Sequence, residues 1–127
     1  MNGDVLDTNI VIKYLAGDEI TKQLLDRALI IYIPVIVVGE LHYGAQKSSR
    51  IQRNLEIFNN FLSNFQIISV DMDIAENYGI IKNQLRAKGI NIPENDIWID
   101  ASTKSRQCNL LTYDSHFKSI DNLIVKP

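Results

Sequence analysis

Cysteine is nearly absent. One residue, Cys108, in 127 allows no intrachain disulfide and no thiolate zinc cage within one chain. Proline and glycine are scarce, at 3 and 6 copies, which excludes a collagen-like or low-complexity chain. No apolar stretch approaches the ~20 residues that span a bilayer. The longest, Ala28 to Gly39, is interrupted by Pro34. The opening Met-Asn-Gly-Asp has neither the basic start nor the apolar run of a signal peptide, so a soluble, cytoplasmic protein without membrane contact is expected. Positive charge is also not in excess. Lys and Arg number 13 against 15 Asp and Glu, for a net charge of -2. Proteins that hold nucleic acid by bulk charge are usually basic. A nucleic-acid role is therefore open only if the acids gather in one pocket and bind cations.

What is present suits one globular domain over residues 1–127, with 46% hydrophobic residues to fill a core. Short apolar runs alternate with helical periodicity. Val5-Leu6 reads as a buried strand leaving at Asp7-Thr8-Asn9, where Thr8 or Asn9 caps a short helix that Gly17 stops after Leu15. Asp18 is a good N-cap for the next helix, with Ile20, Leu24, Leu25 and Ala28 at helical spacing. Ile30 to Ile33 reads as a second strand closed by Pro34. Val37, Leu41, Gly44 and Ala45 share one helical face, as do Ile51, Leu55, Phe58 and Leu62. Gln66 to Val70 is a third strand. Asp71 or Asp73 then opens a long helix with Ile74, Tyr78, Ile81 and Leu85 on one stripe, ended by Gly89. Pro93 suits the first turn of the following helix. Asn109 to Thr112 and Leu123 to Val125 read as the last two strands. Strands separated by helices imply right-handed crossovers and a mostly parallel sheet of about five strands in a three-layer α/β/α sandwich. Such sheets bind ligands at the carboxyl ends of their strands, where strand order reverses.

Asp7 leaves the first strand at that edge, and Asp114 follows the fourth by a few residues. Glu40 borders the apolar stripe of its helix. Asp96 lies in the first turn after Pro93, with Asp100 one turn further along the same face. Carboxylates brought close together repel unless a counter-ion joins them. Oxygen-only ligands suit Mg²⁺ or Mn²⁺, which lower the pKa of a bound water and stabilise in-line displacement at a phosphodiester. Each acid alone also has a plainer reading. Asp7 serves as a helix cap, Glu40 as a solvated helix face, Asp96 as an acid favoured by the helix dipole and Asp114 as a turn residue.

The chain resembles PIN-domain ribonucleases, in particular VapC-type toxins of bacterial toxin–antitoxin pairs. The carrying segments are Val5-Leu6-Asp7-Thr8-Asn9, then Val37-Val38-Gly39-Glu40-Leu41 with Tyr43-Gly44. Pro93-Glu94-Asn95-Asp96-Ile97-Trp98-Ile99-Asp100-Ala101 and Leu111-Thr112-Tyr113-Asp114-Ser115-His116-Phe117 follow in order. The resemblance covers essentially the whole chain. It implies a Mg²⁺- or Mn²⁺-dependent endoribonuclease that leaves 5′-phosphate and 3′-hydroxyl ends, forms a homodimer and is held by a cognate antitoxin. By the same resemblance Asp7, Glu40, Asp96 and Asp114 are the catalytic and metal-site acids, and Asn9 and Thr112 are supporting hydrogen-bond partners. Asp100 departs from the pattern, which has a small apolar residue there; it is either an extra supporting acid or a solvent-facing one.

Of the basic residues, Arg86 is the candidate phosphate contact, while Lys47, Arg50, Arg53, Lys82, Lys88, Lys104 and Arg106 read as an RNA rim or as solvated helix faces. His42 and His116 read as rim or surface residues, and Trp98 as core or dimer interface. Two rival functions stand beside the nuclease. A haloacid-dehalogenase-like phosphatase would use Asp7 as nucleophile, but its second aspartate is Asn9 here. A non-cleaving PIN module would bind RNA or protein without needing all four acids.

Overall fold

The structure, a computed structural model, describes residues 3–115, 117 and 125–126. Its elements are β1 (Asp4–Leu6), α1 (Thr8–Leu15), α2 (Glu19–Arg27), β2 (Ile31–Pro34), α3 (Val35–Gln46), α4 (Ile51–Leu62), β3 (Gln66–Ile68), α5 (Met72–Ala87), α6 (Glu94–Ser105), β4 (Asn109–Leu111) and β5 (Val125–Lys126). The strands form one sheet in the order β3-β2-β1-β4-β5, and every neighbouring pair is parallel. The chain thus winds one way from β1 through β2 to β3, then returns to build β4 and β5 on the other side. With right-handed crossovers this places helices on both faces, the expected sandwich. The strand order reverses between β1 and β4.

Strands buried on both faces carry continuous apolar runs rather than alternation. Val5, Leu6, Ile33, Leu110 and Leu111 are accordingly buried. Helices close over them with Ile10, Val37, Leu41, Ile74, Ile81, Leu85 and Ile99. Gly3 admits β1 between its neighbours. Its φ is +95°, and a Cβ there would meet the Ile30 carbonyl oxygen at 2.8 Å. Gly17 and Gly89, at φ +87° and +70°, follow the ends of α1 and α5 as the sequence predicts.

Several boundaries differ from expectation. Asp7, not Thr8 or Asn9, is the N-cap of α1, its side chain accepting from the Thr8 N–H. Pro34 ends β2 and directly caps α3. Consequently β3 stops at Ile68, paired with Pro34, and Ser69 and Val70 have no β2 residue left to pair with. Pro93 is the N-cap of α6 rather than part of its first turn. The fifth strand is Val125–Lys126; Leu123, its expected start, lies outside the described residues. Among the described residues no helix is long and apolar enough to cross a membrane.

Candidate metal centre

The reversal point of the sheet gathers the polar residues. Leu6 pairs with Leu111, so Asp7 and Thr112 leave neighbouring strands side by side. The Asp7 N–H continues the ladder to the Leu111 carbonyl at 3.0 Å. Beyond it the side chains take over. Thr112 Oγ1 donates to Asp7 Oδ2 at 2.7 Å, and the Thr8 N–H donates to Asp7 Oδ1 at 2.8 Å. Asn9 Nδ2 donates to Thr112 Oγ1 at 3.1 Å and to Asp7 Oδ2 at 3.3 Å. The Asp114 N–H donates to Thr112 Oγ1 at 3.0 Å, and the Tyr113 N–H to Asn9 Oδ1 at 3.1 Å. Asn9 and Thr112 thus tie one carboxylate and the loop after β4 together.

Helices bring the other acids. Glu40, half-buried on α3, accepts from the Thr8 hydroxyl at 2.7 Å through Oε1. Asp96 is half-buried in the first turn of α6. Burial pushes the Asp7 carboxyl up to about 6, against the hydrogen bonds from Thr112 and Thr8; the charges of Asp96 and Glu40 add to the rise. The charges of two further expected acids, Glu40 and Asp96, thus reach Asp7 across this edge. Asp114, half-buried, is joined to the network through its backbone N–H. Asp100 is fully buried, and neither of its oxygens has a hydrogen-bond partner. Burial pushes its carboxyl up to about 9, with the charges of Asp96 and Asp7 adding and that of Lys104 opposing. The solvent-facing reading of Asp100 is therefore excluded.

Among the described residues no three carboxylates, imidazoles or thiolates are close enough, as placed, to hold a metal ion together. The neighbourhood nevertheless fits a hard divalent cation. Its donors are oxygens, its nearest charges are mostly negative, and one buried carboxylate in it has no partner.

Two grooves hold the candidate phosphate contacts. One, of about 700 Å³, is lined by Thr8, Glu40, Tyr43, Lys47, Gly44 and Asn95, among others. Tyr43 is 67% exposed, with Lys47 Nζ 4.9 Å from its ring centroid. The other, of about 480 Å³, is lined by Arg86 with Lys82, Ile90, Ile92, Glu94 and Ile97, and by none of the four acids. Lys47 rather than Arg86 therefore shares a groove with a site acid. Sequence reasoning left Lys47 among the general cations and did not single out Tyr43. Their spacing from Glu40, three and seven residues along one helix, was the signal available. His42 is half-buried, and His116 lies outside the described residues. Trp98 is half-buried and stacks on Tyr78, with ring centroids 4.0 Å apart, so it joins α6 to α5 rather than filling the central core.

Comparisons with known proteins bear on the family and the fold. The model of the PIN domain matches residues 5–123. The chain is 34% identical to Ribonuclease VapC2 of Haemophilus influenzae, over 94% of this chain and 91% of that protein. It is 32% identical to Ribonuclease VapC2 of Rickettsia felis, over 96% and 95% respectively. The crystal structure of VapBC2 from Rickettsia felis, bound to a DNA fragment from their promoter, superposes with a TM-score of 0.90. That match has 30% identity and covers 97% of this chain and 96% of that one.

Proposed function

The chain belongs to the PIN-domain family, and from that membership we propose that Asp7, Glu40, Asp96 and Asp114 hold one or two Mg²⁺ or Mn²⁺ ions at which RNA is cut. The chain is an endoribonuclease of the VapC toxin type, with a metal-dependent reaction. A single such domain accounts for residues 1–127. The observation that carries the site assignment is the approach of Glu40 and Asp96 to the buried Asp7 at the point where the sheet reverses, with Thr8 bonded to both Asp7 and Glu40.

The residues divide the work by position. Thr112 and Thr8 hold the two Asp7 oxygens in place, and Thr8 also holds Glu40. Asn9 fixes the chain at Tyr113 and so the approach of Asp114. Bound among these acids, a divalent ion supplies the Lewis acidity that turns water into a nucleophile and neutralises charge on the phosphodiester. Attack by water on phosphorus with breakage of the P–O3′ bond, the 3′ oxygen leaving and taking up a proton, gives the 5′-phosphate and 3′-hydroxyl ends that the family resemblance implies. The groove beside Glu40 offers RNA two complementary groups. The Tyr43 ring stacks with a base, and the Lys47 ammonium meets a phosphate. Arg86 is the more distant phosphate contact. Local cations beside an acidic floor reconcile RNA binding with the net charge of -2.

An antitoxin is the protein partner, as in the VapBC complex to which the chain is similar. We add a homodimer and a cytoplasmic location, where RNA is available. Purified protein incubated with Mn²⁺ and a structured RNA tests the enzymatic reading. Cleavage that stops with EDTA and with Asp7→Ala supports it. Tight RNA binding without cleavage favours the non-cleaving module, and an acyl-phosphate on Asp7 favours the phosphatase.

A further inference from the structure

Asp100 sits in the middle of α6, away from either end, so it caps nothing. It is fully buried, and neither oxygen meets a donor. A buried carboxylate left in this way is costly, and native proteins normally supply a hydrogen bond, an opposite charge or a metal. The local candidates are already committed or out of reach. The hydroxyls of the buried neighbours Ser102 and Thr103 donate back to the carbonyls of Trp98 and Ile99, each at 2.8 Å. Lys104, one turn away, lowers the Asp100 pKa through its charge but forms no hydrogen bond with it.

The unpartnered Asp100 carboxylate lies on the helix that carries a site acid. Asp96 is four residues earlier on the same helical face, and the charges of both Asp96 and Asp7 reach it. We propose that Asp100 is a fifth carboxylate of the cation site, partnered by the divalent ion that Asp7 and Asp96 share. This rests on the metal-site reading given above. It extends that reading, since α6 then supplies two acids one turn apart, one of them fully buried. Five acids around the ion raise the charge of the ligand set and so its affinity for a hard cation.

The test is a Mn²⁺ titration, by calorimetry and by electron paramagnetic resonance, of the EDTA-stripped full chain and of Asp100→Asn, Asp100→Ala and Glu94→Gln. Glu94 lies on the same helix but is bound to Lys82, and so it controls for loss of a nearby charge. The expected result is at least a ~10-fold weaker Mn²⁺ affinity in both Asp100 variants, the scale of losses seen when groups around a metal are removed. Glu94→Gln should stay within about twofold of wild type. Thermal unfolding separates this from damage to the fold. In EDTA the Asp100 variants should melt at or above wild type, since the carboxylate makes no hydrogen bond there, while gaining less from added Mn²⁺. Unchanged affinity in Asp100→Asn and Asp100→Ala overturns the proposal, with a buried water as the partner of Asp100. An equal loss in Glu94→Gln also overturns it, in favour of general charge. If wild type itself binds no Mn²⁺, the underlying metal-site reading fails instead.

Discussion

Glu94 and Asp96 stand two residues apart on α6 and meet opposite surroundings. Glu94 is exposed and accepts from both the Lys82 ammonium and the Tyr78 hydroxyl, which hold its carboxyl below the ordinary range. Asp96, half-buried, has no such counter-charge in Asp7 and Asp100, and its own charge helps to raise the carboxyl pKa of both. The first arrangement is complete within the chain: a charge, its counter-charge and a hydroxyl, all open to water. The second concentrates like charges where water is excluded. A surface ion pair of the first kind contributes little to stability. A cluster of the second kind costs stability and is retained where something else completes it.

The contrast can be broken most severely at its deepest residue. Asp7→Ala should lower RNA cleavage by at least about 100-fold, as expected when a group that activates a metal site is lost. A gel assay of initial rates against Glu94→Gln measures the difference; comparable losses in the two would erase the distinction between the two faces of α6. Thr112→Val comes next. It removes the Asp7 Oδ2 donor and deprives the Asn9 side chain and the Asp114 N–H of their acceptor. Loss of such buried partners costs about 1–3 kcal/mol. Chemical denaturation should show that loss, accompanied by weaker Mn²⁺ binding.

A third measurement sharpens the comparison through pH. Folding raises the Asp7 and Asp100 carboxyls from 3.8 to about 6 and about 9. In EDTA the folded chain therefore binds more protons than the unfolded chain between about pH 4 and pH 9. Their contribution is present on the acid side and is lost as pH rises through that window. Melting temperatures should decline across it, with a shallower slope in Asp100→Asn. A slope identical to wild type would falsify the assignment of that loss to Asp100. The smallest effect belongs to the exposed side. Lys82→Ala should leave both cleavage and melting temperature essentially unchanged, which parallel assays of rate and unfolding will check.

Much of the scaffold was legible because it rests on local rules. Ile74, Ile81 and Leu85 form the buried stripe of α5 as their spacing predicts, and Asp18 caps α2. Where expectation missed, a long-range partner decided. Asp7 takes the cap from Thr8 because its position beside Thr112 already turns the carboxylate back over the helix start. β3 is shorter than its apolar run because β2 ends at a proline and becomes α3. In the site, order along the chain identified the four acids, and a resemblance to a known family gave them roles. The burial of Asp100 was not legible. Spacing puts it on the same face as Asp96, but whether that face meets solvent or a packed sheet depends on all three layers. The groove at Tyr43 and Lys47 is likewise a product of packing between α3 and the start of α6.

The bond between Thr112 and Asp7 joins residues 105 positions apart in sequence. During synthesis the first strand leaves the ribosome long before the strand that will lie beside it. Until that later strand emerges, the Asp7 carboxylate has no Thr112 to hold it and the loop that carries Asp114 does not yet exist. On the proposed site assignment, the growing polypeptide therefore passes through an interval in which its cation site is incomplete, and the site closes only when β4 is laid beside β1.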